Sequence, residues 1–137
     1  MRKKLDFEIK FFEGILEKKP DFIEALIALA EDYTKKGLYD KGLQLDKKLA
    51  LLRPDDEVVR YNLACDYSLL KETELCLEAL EKAIELGYDD FRYMLKDPDL
   101  EYVRKDERYV SLLAKRILRP SGLLRKGRRK EGKKCAD

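Results

Sequence analysis

Few residues in this sequence have types that could do chemistry. Three cysteines (Cys65, Cys76 and Cys135) and two aspartates (Asp32 and Asp66) could supply a thiolate, a metal ligand or a carboxylate pair. Their surroundings argue against each role. The chain has no histidine, so no imidazole base works near neutral pH, and scattered thiols alone do not make a zinc site. The stretch "GLYDKG" has neither the order nor the strand context of a phosphate-binding loop. Asp32 and Asp66 lie 34 residues apart, one acid on each predicted helix. That spacing suits a solvated or ion-paired feature of a repeat better than a catalytic pair. The expectation is therefore a non-enzymatic chain with no catalytic residue, no metal and no cofactor. Cys76 is expected to act as a small buried hydrophobe.

The elements that position these residues read as helices throughout. In 5–18, Leu5, Ile9, Phe12 and Leu16 recur at helical spacing, and Phe7, Phe11 and Ile15 widen the apolar face. Pro20 ends this segment, and Asp21 with Glu24 resembles a capping box for a second helix that runs to Lys36. Gly37 is placed to end that helix in the left-handed conformation. Further helices are predicted over 39–52, 57–70, 73–86 and 107–118, and short connections make successive helices antiparallel neighbours. No run reads as a strand, so the expected class is all-α.

At 137 residues the chain fits one domain. Charged residues make up 42% and no apolar run approaches a membrane span, so a soluble protein is expected. The N-terminal "MRKKLDFEIK" lacks the apolar core of a secretory signal. Three cysteines form no disulfide framework, and a cytoplasmic location is the simpler expectation. One asparagine, one glutamine and abundant Lys and Glu give a thermophile-like composition.

The 34-residue offset is general. Leu29, Ala30, Asp32 and Tyr33 recur as Leu63, Ala64, Asp66 and Tyr67, while Pro20, Pro54 and Tyr88 keep the same period. Leu26-x2-Leu29-Ala30-x2-Tyr33, then Gly42-x3-Asp46 and Pro54, is followed by Arg60-x2-Leu63-Ala64-x2-Tyr67 and Cys76-x3-Leu80. This pattern resembles the tetratricopeptide repeat. Neither unit carries the family's tryptophan, Asp46 stands for an aromatic, and Arg60 replaces an apolar residue. The resemblance implies antiparallel helical hairpins stacked as a right-handed α-solenoid. A half repeat would span 5–20, full repeats 21–54 and 55–88, and a capping segment 89–118. The last begins with a short helix and a "DPDL" turn, and covers the open end of the stack.

The same resemblance implies a concave groove lined by the first helix of each unit. In this numbering it would comprise Glu24, Ile27 and Glu31, then Val58, Tyr61, Asn62, Cys65 and Leu69, then Arg92 and Lys96. A peptide or partner helix would bind there; alternatively, the chain's own final helix would cover Val58, Tyr61 and Leu69. Asn62, Arg92 and Lys96 fall at clamp positions that some members use for acidic chaperone tails. Ile27 and Glu31 stand where that clamp needs lysine and asparagine, and an acid in a carboxylate pocket repels. The leading half repeat would leave Phe7 or Phe11 exposed, so the expected state is a monomer or a weak homodimer through that helix.

Charge is unevenly placed. Residues 119–137 hold eight basic and two acidic residues, a net of +6, whereas the preceding 118 residues net −4. This basic tail is expected to be disordered. Arg125, Lys126, Arg128, Arg129 and Lys130 would contact phosphates of nucleic acid, without sequence readout, or an anionic surface.

Overall fold

A computed structural model describes residues 2–118; the basic tail, with Cys135, lies outside the described residues. Among these residues every regular element is helical: α1 (Arg2–Lys18), α2 (Ile23–Lys36), α3 (Tyr39–Leu52), α4 (Glu57–Leu69), α5 (Thr73–Glu85), α6 (Phe91–Met94) and α7 (Glu107–Ile117). Two 3-10 turns, Pro98–Leu100 and Val103–Lys105, lie between α6 and α7. The chain divides into two compact units, Met1–Asp55 and Asp56–Asp137.

In the first unit, α1 and α3 both pack on α2. Leu5, Ile9, Phe12 and Leu16 form one stripe of α1 and meet Leu29 and Tyr33 of α2, with Leu45 of α3 against them. Fully burying an apolar side chain is worth about 1.5–3 kcal/mol; Ile9 is buried, and the half-buried Leu5, Phe12 and Leu16 contribute less. The Tyr33 hydroxyl donates to Glu13 Oε2 at 2.5 Å, and the Lys41 amine sits 5.5 Å over the Tyr33 ring. Lys36 pairs with Asp6, joining the end of α2 to the start of α1.

Two local expectations change. Asp21 does not cap α2: the N-cap is Phe22, with no side-chain cap bond. Lys48 of α3 takes Asp21 instead at 3.2 Å and donates to Pro20 O at 2.8 Å. Asp32 is not solvated either. It is only 4% exposed, and burial, followed by the Glu8 carboxyl facing it from α1, raises its pKa from 3.8 to about 6.

Helix ends repeat at the backbone level. Gly37, at φ 85°, donates to Thr34 O, and Leu38 N–H reaches Tyr33 O at 2.8 Å. Thirty-four residues on, Lys71 at φ 63° donates to Ser68 O, and Glu72 N–H reaches Tyr67 O at 2.8 Å. Both are Schellman endings, in which a left-handed residue lets two amides close on the last turn. Lysine at the second shows that the repeated turn is kept even where glycine is missing.

Gly14 is different, because no turn requires it. It lies inside α1, and a Cβ there would meet nothing within 4 Å. Gly14→Ala is expected to raise stability by about 0.5–1 kcal/mol. Urea denaturation monitored by circular dichroism measures this, and an unchanged or lowered midpoint would contradict it.

Candidate partner-binding face

The second unit is built around the hairpin of α4 and α5. Asp56 caps α4, its Oδ1 accepting from Val58 N–H at 2.9 Å and Val59 N–H at 3.2 Å. Tyr61, Ala64 and Cys65 then join Cys76, Ala79, Leu80 and Ala83 of α5 in one core. Tyr88, Phe91, Met94, Leu100 and Val103 complete it from the segment after α5, together with Tyr109 and Leu113 of α7. Asp90, Asp97 and Asp106 each accept a backbone N–H two or three residues on, so an aspartate opens α6, the first 3-10 turn and α7.

This folded-back segment decides what happens to the expected groove residues of α4. Tyr61 is 0% exposed: its ring stacks on Tyr88 with centroids 4.2 Å apart and planes within 4°. Its hydroxyl donates to Asp97 Oδ2 at 2.6 Å. Cys65 is equally buried, with Sγ 3.8 Å from the same oxygen. Asp97 Oδ1 accepts from Asp99 N–H at 3.0 Å, so both carboxylate oxygens are engaged in a fully buried setting. The expected open lining at Tyr61 and Cys65 is thus covered by the chain itself. The cover is Tyr88 and the Asp97 turn; α7 contributes to the same core through Tyr109 and Leu113. The Tyr109 hydroxyl and the Arg104 guanidinium both donate to Met94 O, at 2.6 and 2.9 Å, and fasten α6 to α7 and to the second 3-10 turn.

Electrostatics agree with a packed interior. Burial first, and then the neighbouring Cys65, Tyr88 and Asp97, push the Tyr61 phenol well above its ordinary range. Burial alone pushes the Cys76 thiol from 9.0 up to about 12, so it is a neutral, unreactive thiol at neutral pH. Among the described residues neither Cys65 nor Cys76 forms a disulfide. Among the described residues, no group of histidine, cysteine, aspartate or glutamate side chains could hold a metal ion.

The other expected positions divide by exposure. Val58 and Asn62 are buried, and Leu69 is half-buried. Glu24 is exposed at the start of α2, with Ile27 and Glu31 half-buried along the same helix. Arg92 and Lys96 are exposed, one turn apart at α6. Among the expected positions, Glu24, Ile27 and Glu31 remain accessible in the first unit, and Arg92 and Lys96 in the second. Arg125, Lys126, Arg128, Arg129 and Lys130 lie outside the described residues. Sequence reasoning missed Asp97 and Tyr88 as the residues that cover α4, and Arg104 as the one that ties α6 to the second 3-10 turn. The one local signal was "KDPDL", where an aspartate before proline marks a capped turn.

No family model matches the chain. It is similar to a curated chloroplastic protein of Arabidopsis thaliana, at 38% identity over 108 residues. The match covers 77% of this chain but only 31% of the relative, so the chain spans about a third of that protein's length. Among the described residues no helix is long and apolar enough to cross a membrane.

Proposed function

We propose that the chain is a non-enzymatic interaction module of the tetratricopeptide kind, whose hairpins stack as an α-solenoid and present a face to a partner segment. The observation that carries this reading is the repeated turn. Hairpins 34 residues apart close with the same left-handed residue and the same two backbone bonds, at Gly37 and at Lys71. A repeated hairpin whose polar core residues serve packing presents surface rather than chemistry. A partner segment would meet Ile27 and Glu31 on α2 of the first unit, and within the second unit acidic residues of a partner would meet Arg92 and Lys96.

The test is an array of synthetic peptides followed by titration in solution. Ile27→Ala is expected to weaken a peptide that binds the first unit, and the Arg92→Glu/Lys96→Glu pair an acidic peptide that binds the second, each about tenfold, roughly 1.4 kcal/mol. Deleting 119–137 should leave either affinity unchanged. If no peptide binds, or binding ignores these positions, the reading fails.

A second reading rests on the +6 charge of residues 119–137: the tail would hold nucleic acid or another polyanion through Arg125, Lys126, Arg128, Arg129 and Lys130. Salt-sensitive binding of single- or double-stranded DNA that vanishes with the tail would favour it. The buried thiols of Cys65 and Cys76, which form no disulfide among the described residues, support a reducing compartment. Cytoplasm is the location proposed from sequence, and the relative's name makes the chloroplast the alternative.

A further inference from the structure

The outer face of α1 carries an apolar stripe that nothing in its own unit covers. Phe7 and Phe11 are 69% and 53% exposed, and their rings stack 6.3 Å apart. They belong to a series Lys4, Phe7, Phe11, Gly14, Lys18, with alternating steps of three and four along an unbroken helix. That is the spacing of a coiled-coil seam, in which side chains enter the holes of a facing helix. Leu5, Ile9, Phe12 and Leu16 occupy the opposite side and are already used against α2.

Gly14 supplies an independent observation. It lies in the seam, and the space its side chain would fill is empty of this protein's atoms. A glycine that weakens its own helix without a local requirement fits a close approach by another backbone. A facing helix uses such a gap, whereas a lipid surface gains nothing from it.

Charge selects the occupant. The seam begins and ends in lysine, with Lys3 beside the first, and holds no carboxylate. A second copy would set lysine against lysine in either orientation, because Lys4 and Lys18 are equally far from Phe11. Like charges facing each other across an interface disfavour that pairing. We infer that the outer face of α1 docks an acidic amphipathic helix of a partner, with apolar residues on Phe7 and Phe11, a close crossing at Gly14 and acids at both lysine ends. This surface is separate from the α2 and α6 positions of the proposed function and does not depend on them.

The probe is a fluorescein-labelled peptide of about three heptads, with leucine at the a and d positions and glutamate at e and g. Its lysine counterpart and phosphatidylglycerol vesicles are measured beside it against the full chain. The acidic peptide is expected to bind with a Kd on the order of micromolar and to weaken with salt. The lysine peptide and the vesicles should bind at least about tenfold more weakly. Phe11→Ala and Gly14→Leu should each weaken the acidic peptide about tenfold or more without lowering the thermal midpoint, whereas Ile27→Ala should not change its affinity. The inference is overturned if the acidic peptide does not bind, if both peptides bind alike, or if neither seam substitution weakens binding. Stronger binding to vesicles, or concentration-dependent dimerisation in sedimentation that Phe11→Ala abolishes, would also overturn it.

Discussion

Replacing Tyr61 with alanine is expected to cost about 3–5 kcal/mol of stability. The substitution removes the ring stacked on Tyr88 and the hydroxyl that donates to Asp97. It leaves a cavity where exposure is 0%, and it removes one partner of a buried carboxylate. Tyr61→Phe separates the two effects. It keeps the ring and the stack, and the lost hydroxyl should cost about 1–3 kcal/mol. Urea denaturation of both variants checks this. An alanine variant within about 0.5 kcal/mol of the parent would show that the segment carrying Tyr88 and Asp97 does not seal α4 in solution. Tyr61→Ala is also a poor probe of partner binding, since a loss of binding would report unfolding. The exposed Arg92 and Lys96 serve that purpose.

Asp32→Asn should act in the opposite direction. Burial raises the Asp32 carboxyl from 3.8 to about 6, with Glu8 adding to the rise, Glu31 contributing less, and Lys35 opposing it. A carboxyl whose folded pKa lies above its unfolded value binds a proton more tightly in the folded state. Its favourable contribution is therefore complete below about pH 4 and is lost as pH rises through about 6. At pH 7 the charged form costs up to about 3 kcal/mol, because it is buried and faces the Glu8 carboxyl, to which a protonated Asp32 hydrogen-bonds. The asparagine variant should be more stable than the parent by about 1–3 kcal/mol at neutral pH, with the difference vanishing near pH 4. Thermal midpoints across pH 4–7 measure this. Parallel curves for the two proteins would mean that Asp32 does not titrate in this window.

The helices were legible because their causes are local. Proline at 20, glycine at 37 and apolar residues at helical spacing act within a turn or two, and α1 and α2 end where those signals place their ends. Asp21 shows the limit. Its sequence context is that of a capping residue, but Lys48, 27 positions away, provides a charge that no window around Asp21 contains.

The candidate face divides along the same line. Arg92, Lys96 and Glu24 are exposed as a charged surface residue should be. Tyr61 and Cys65 have types and positions suited to a groove lining. What removes them from the surface is Asp97, 36 residues from Tyr61 and 32 from Cys65. The exposure of Phe7 and Phe11 follows the same logic in reverse, since α1 has two apolar sides and α2 fills only one.

By itself, then, the sequence determined an all-helical chain, the period of 34 and the positions of the turns that carry it. Each depends on backbone preferences and on which side of a helix is apolar, and these are properties of neighbouring residues. Only the tertiary structure decided that Asp32 is buried beside Glu8 and that Tyr61 and Cys65 are sealed under Tyr88 and Asp97. Those outcomes are set by which distant surfaces meet, and burial, desolvation and charge pairing have no value until they do.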